Sequence, residues 1–210
     1  MDKSQVSFIN RLKRKFNINE PIFTNEILEL FGEFTRAYVF RLINKSKLLG
    51  ELVQFSSGVY YIPQKDDLDL PTITADDIIN KKYVQYGNNI YGIYSGLKLQ
   101  NEFSVTTQMP NIVEIVTSNG EMKCRKIEMG GRKFVLRKAR CRISKSNASA
   151  YTILQLFADM GTQTKLDGLA KEKVIGYIEK NNISAKELMD LAMVFPEKAK
   201  KRLIASGILK

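Results

Sequence analysis

Histidine and tryptophan are both absent from this 210-residue chain. Without imidazole there is no Ser-His-Asp or Cys-His machinery, and the commonest transition-metal ligand is missing. Cysteine occurs twice, at Cys124 and Cys141, with no zinc-binding spacing; two structural thiols are the plain reading. There is no phosphate-cradling glycine loop, no internal repeat and no low-complexity tract. No apolar run approaches the roughly 18 residues of a membrane-crossing helix. The opening MDKSQVSFINRLKRKF lacks an apolar segment followed by a small-residue cleavage site. These absences set the expectation of a cytoplasmic protein that is not an enzyme, with no cofactor, no metal and no membrane contact.

What the chain has in excess is positive charge. Lysine and arginine number 33 against 22 acids, a net +11. The excess is spread along the chain: +3 over residues 1–64, +5 over 65–150 and +3 over 151–210. A basic balance of this kind favours a polyanionic partner, and it also fits a soluble protein with a general basic bias.

The first segment predicts three helices and a hairpin. Val6, Ile9, Leu12 and Phe16 recur at helical spacing over about 4–16, with Arg11, Lys13, Arg14 and Lys15 mostly off that stripe. Pro21 begins a short extended stretch. Thr24 reads as the cap of a second helix carrying Ile27, Leu28 and Leu30, which Gly32 ends. Thr35 caps a third helix whose Val39, Leu42 and Ile43 share one face. The opposite face carries Ala37, Arg41, Asn44 and Lys45, with Tyr38 on its flank and Arg36 nearer the apolar stripe. LVQF and GVYYI then flank Ser56-Ser57 as a hairpin, with Val59 and Tyr61 on one face and Tyr60 and Ile62 on the other.

That order predicts an N-terminal winged helix-turn-helix over 1–64. In such a fold the third helix lies in the major groove, where Arg pairs with guanine and Asn with adenine. The hairpin tip at Ser56 and Ser57 is small enough to approach a phosphate, and Lys13 and Arg14 can add backbone contacts. The same fold also mediates protein contacts, and Tyr38 and Phe40 are candidates for its core.

QKDDLD over 64–69 is polar and acidic, and a linker is expected over 65–70. Beyond it, 71–210 reads as a mixed α/β domain with a helical C-terminal tail, giving an α+β protein. TADDIINKKYV predicts a helix capped by Thr74, and YGIYSGLKLQNEF a second short one. NIVEIVT predicts a strand, and Gly130-Gly131 divides two alternating runs into a hairpin. Residues 123–145 hold ten basic residues against the single acid Glu128. That stretch reads either as a phosphate-binding surface or as the solvated side of a half-buried hairpin. In the tail, Ser184 and Glu187 form a capping box, and Pro196 is expected in the first turn of the last helix.

Taken in order, PIFTNEILELF, YVFRLINKSKLLGELVQFSSGVYYIP and GIYSGLKLQNEFSVTTQMPNIVEIVT resemble the AbiEi-type antitoxin family of type IV toxin–antitoxin systems. The matching positions are Gly58-Val59-Tyr60-Tyr61, Ser95-Gly96-Leu97, Asn101, Thr106-Thr107-Gln108 and Pro110, and ELMDLAMVFPEKAKKRL resembles the family's closing helix pair. The resemblance implies an autorepressor that binds inverted repeats of double-stranded DNA in its own promoter, with Arg36, Arg41, Lys45 and Lys47 as contacts. It also implies an antitoxin that counters a nucleotidyltransferase-like toxin without a stable complex. The chain departs from the family pattern at Lys45-Ser46-Lys47, where a basic-plus-glycine helix end is usual, and at Gly50-Glu51, where an arginine run is usual. Two other readings stay open: a winged-helix regulator that senses a small molecule in its second domain, and a metal-dependent nuclease using Asp76, Asp77, Glu114 or Glu121.

Overall fold

The computed structural model describes residues 3–64, 73–120, 123–161, 166 and 168–209, with the backbone alone for residues 3–5. The chain has mixed α and β structure and divides into two compact units, Met1–Ile78 and Ile79–Lys210. The linker expected over 65–70 lies outside the described residues.

In the first unit, helix α1 (Lys3–Lys15) precedes strand β1 (Ile22–Phe23), helix α2 (Thr24–Leu30), helix α3 (Arg36–Leu48) and the hairpin strands β2 (Val53–Ser56) and β3 (Val59–Tyr61). The core gathers one face from each: Phe8, Ile9, Leu12 and Phe16 of α1, Ile27 and Phe31, Val39, Leu42 and Ile43 of α3, then Tyr60 and Ile62. The stripe on α1 is corrected at its start, because Val6 is exposed and Phe8 is buried in its place. Phe8 wins because its ring meets that of Phe31 at 4.5 Å between centroids.

The short extended stretch after Pro21 becomes a third strand. β1 pairs antiparallel with β3, Ile22 opposite Tyr60, giving the sheet order β1-β3-β2. Thr24 is not the cap of α2 but its first residue. Phe23 caps, and its N–H donates to the Glu26 carboxylate at 2.7 Å. The Thr24 hydroxyl is used elsewhere: it donates to the Gly58 carbonyl at 3.2 Å, which also accepts the Thr24 N–H at 3.0 Å. Thr35 does cap α3, its hydroxyl accepting the Tyr38 N–H at 3.3 Å.

The second unit holds a two-stranded hairpin, β4 (Gln85–Tyr86) and β5 (Asn89–Ile90), and is built on a four-stranded sheet of β6 (Gly92–Ser95), β7 (Ile112–Thr117), β8 (Cys124–Met129) and β9 (Arg132–Lys138), in the order β6-β7-β9-β8. The β8–β9 pair is the expected hairpin, Met129 opposite Arg132, and it folds back so that β9 runs parallel to β7. One part of GIYSGLKLQNEF departs from expectation: Gly92–Ser95 is strand, and helix α5 starts only at Gly96 and runs to Glu102. Pairing with β7, from Gly92 opposite Thr117 to Ser95 opposite Glu114, overrides the local helical reading. Gly92 is required there, since an added Cβ would lie 2.0 Å from the Tyr83 carbonyl oxygen.

Helix α6 (Ala148–Asp159) is the spine of this unit. Ala150, Tyr151, Ile153, Leu154, Leu156 and Phe157 are all buried, so the helix is apolar nearly all round, as a central helix must be. Around it lie α7 (Gly168–Lys180), α8 (Ala185–Ala192) and α9 (Glu197–Ala205). Ser184 caps α8 as expected, accepting the Glu187 N–H at 3.1 Å. Pro196 sits one residue outside α9, with extended backbone, because its carbonyl accepts the Ala199 N–H at 2.8 Å. Helix α4 (Ala75–Tyr83) begins at Thr74 in a reciprocal capping box with Asp77, whose carboxylate accepts the Thr74 N–H at 2.8 Å.

At the end of α6, the Asp159 carboxylate accepts the Gly96 N–H at 2.8 Å and the Gln155 amide at 2.7 Å. Burial nevertheless raises its pKa above the ordinary carboxylate value, outweighing these bonds.

Two stability predictions follow from these local geometries. Gly58→Ala forces an L side chain to φ +76°, with its Cβ 3.3 Å from the Thr24 hydroxyl; urea unfolding is expected to show a loss of about 1 kcal/mol or more. For Asp159, the folded state holds its proton more tightly than the unfolded chain does. Its contribution to stability is therefore largest at low pH and declines as pH rises from the ordinary carboxylate range through the raised value. Asp159→Asn removes that titration, so the variant is expected to gain on the natural protein as pH is raised across this window, as measured by urea unfolding at stepped pH.

Candidate nucleic-acid interface

The rotation of α3 is fixed by what it buries. Val39, Leu42, Ile43 and Ser46 face the core of the first unit, and Arg36, Ala37, Arg41, Asn44 and Lys45 are exposed. The outward surface is thus cationic and amide-bearing with no acid on it, the chemistry that meets guanine, adenine and phosphate.

Two of the predicted site residues form a pair. The Arg41 guanidinium lies over the Tyr38 ring, 4.7 Å from its centroid, one helical turn away. Tyr38 is half-buried and its ring lies 5.1 Å from that of Phe34, so the platform under Arg41 is itself packed. Arg36 reaches back 5.6 Å from the Phe40 ring centroid. Asn44 and Lys45 stand further along the same face.

Two more, Lys47 and Ser56, are joined by a residue that sequence reasoning missed. The Lys47 ammonium donates to the Gln54 side-chain carbonyl at 2.5 Å, and the Gln54 amide donates to the Ser56 carbonyl at 3.2 Å. Gln54 of β2 thereby connects the last turn of α3 to the hairpin tip, where Ser57 is exposed and Ser56 half-buried. The sequence marks Gln54 only as an outward position between Val53 and Phe55; its pairing with Lys47 depends on how the strand returns past the helix.

Lys13 and Arg14 are exposed in the last turn of α1, and among the described residues no hydrogen bond or ion pair joins them to the α3 group. Arg11 on the same helix has a structural task. It forms an ion pair with Glu33, donates to the Leu30 carbonyl at 2.5 Å and lies over the Phe31 ring at 4.4 Å. The hydrogen bond from Arg11 holds the Glu33 carboxyl below its ordinary value. This set fastens α1 to the end of α2.

Two of the candidate carboxylates are otherwise engaged: Asp77 in its cap, and Glu114 accepting from the Arg137 guanidinium at 2.8 Å. Glu121 lies outside the described residues. Among the described residues, no three of Asp, Glu or Cys come together as a metal site, and no helix is long and apolar enough to cross a membrane.

The Tyr38–Arg41 pair is open to direct measurement. A double-mutant cycle of Tyr38→Leu and Arg41→Ala in urea unfolding is expected to return a coupling of about 0.5–1 kcal/mol, the range for an exposed cation over an aromatic ring. A coupling near zero would mean that the guanidinium leaves the ring in solution.

No family model and no curated protein sequence matches the chain.

Proposed function

We propose that the first unit is a winged helix-turn-helix DNA-binding domain, and that the protein is a transcriptional autorepressor and antitoxin of the AbiEi type. The observation that carries this reading is the division of α3. Val39, Leu42 and Ile43 are committed inward, while Arg36, Arg41, Asn44 and Lys45 stand on the exposed side. In the proposed complex α3 enters the major groove, Arg41 reads a guanine edge and Asn44 an adenine edge. Lys45, Lys47 and the Ser56–Ser57 tip meet phosphates beside it, and Lys13 and Arg14 add backbone contacts.

The antitoxin part rests on the order of motifs described above. In this reading inverted repeats in the protein's own promoter are the operator, and a nucleotidyltransferase-like toxin is the counterpart that the protein opposes without a stable complex. The setting is cytoplasmic, and no step of the function is catalytic.

Titration of the full chain against its own upstream DNA, with a scrambled duplex as competitor, tests the DNA reading. Arg41→Ala is expected to weaken operator binding by about 1–3 kcal/mol and to relax selectivity at one position. Lys13→Ala is expected to weaken operator and scrambled duplex alike, and to reduce the salt slope by about 0.9. Equal affinity of the natural protein for operator and scrambled DNA would sink the repressor reading.

A further inference from the structure

We infer that the second unit carries its own phosphodiester-binding groove, which grips the backbone of duplex nucleic acid without reading sequence. The groove lies where the chain leaves β9 and runs to α6. It is an open cleft of about 1110 Å³, and Lys138, Arg142 and Lys145 supply its charge, with Asn89 and Ser146 on its walls; Arg140 also lines it, but its guanidinium turns to the Gln155 side-chain carbonyl at 3.2 Å and the Phe195 ring. Among the described residues that line it, none is acidic.

The segregation of charge argues against a merely solvated strand face, on which both signs would mingle. The acids of this region stand elsewhere. Glu128 is opposite Lys133 near the hairpin turn, and Glu114 and Asp159 line a neighbouring cleft with Arg137, which Lys138 and Arg140 border as well, while Arg142 and Lys145 line the groove alone. Lys138, Arg142 and Lys145 are all exposed.

The connecting segment is also held rigid, which fixes the spacing of those cations. The Ala139 N–H donates to the Thr117 carbonyl at 2.9 Å and the Arg140 N–H to the Tyr151 hydroxyl at 2.9 Å. The Ile143 N–H donates to the Ser118 hydroxyl at 2.8 Å, and Ile143 itself is buried. Asn147 accepts the Ser144 N–H at 2.9 Å and donates to the Arg142 carbonyl at 2.9 Å. Cations on a segment pinned at this many points are ordered before the ligand arrives, so less entropy is lost on binding.

The lining also selects the class of ligand. Small-molecule sites are enclosed and largely apolar, whereas this groove is open and its lining is about as polar as it is apolar. Single-strand readers add aromatic faces on which bases stack. Among the described residues the one aromatic side chain lining this groove is Tyr91, which is half-buried with its hydroxyl bonded to the Lys81 carbonyl. What remains is charge and hydroxyl groups at fixed spacing, the chemistry that meets a sugar-phosphate backbone.

The test uses the full chain and a labelled duplex of about 20 base pairs with scrambled sequence, titrated at several salt concentrations. The groove variant is Lys138→Ala/Arg142→Ala/Lys145→Ala. A charge-matched control, Lys180→Ala/Lys186→Ala/Lys201→Ala, changes exposed lysines away from the groove. Thermal melting checks that both remain folded. The groove variant is expected to reduce the log–log salt slope by about 2.7, at about 0.9 per lost phosphate contact, with the control close to the natural protein. An unchanged slope in the groove variant, equal losses in groove variant and control, or no duplex binding by the natural protein would each overturn the proposal. Arg41→Ala, assayed alongside, separates this groove from α3. Loss of operator selectivity with the scrambled-duplex slope intact speaks to α3 alone, and a slope lost only in the groove variant speaks to the groove alone.

Discussion

Burial of Val39, Leu42 and Ile43 determines which way α3 faces, and every outward residue of the first unit's candidate surface follows from that rotation. Ser46 completes the inner face. Its carbonyl accepts the Glu51 N–H at 2.9 Å and the Leu52 N–H at 3.3 Å, which brings the chain directly back along the helix toward β2. A larger side chain at this buried position would push the returning strand away and part Gln54 from Lys47. The hairpin is fastened from its other end by Thr24, so helix and hairpin tip are held from two sides by different residues.

The two units handle charge in different ways. In the first, cations are sorted by helical face, and those not needed outside are neutralised locally, as Arg11 is by Glu33. In the second they are sorted along the chain, with Lys138 ending β9, Arg142 and Lys145 beyond it, and the acids Glu114 and Asp159 in a neighbouring cleft. A net charge of +11 therefore resolves into surfaces of defined composition. Non-specific attraction through the proposed groove and selective contacts through α3 would scale differently with salt, which makes the two separable in solution.

Much of this architecture is legible in the sequence because it rests on short-range pattern. The 3.6-residue period placed the inner face of α3, Thr35 announced its cap, and Gly130-Gly131 announced the β8–β9 hairpin. Elsewhere two local readings were equally good and a distant partner chose between them. Val6 and Phe8 both fit a stripe with Leu12, and Phe31 decided for Phe8. Gly92–Ser95 fits helix or strand by pattern, and β7 decided for strand. Within the candidate surfaces the charged residues were legible, since exposure follows from composition. Their supports were not: Gln54 beside Lys47, and Ser118 and Tyr151 under the groove, come from far along the chain.

The position of β8 at the end of its sheet has a further consequence, in solubility. An outermost strand offers a row of unpaired backbone groups on which another chain can add. Here that strand reads CRKIEM, with Arg125, Lys126 and Glu128 all exposed and Ile127 half-buried. Addition of a second copy edge to edge would have to strip water from these charged side chains. Whatever the basic hairpin binds, its lysine and arginine also guard the sheet against growing into an aggregate.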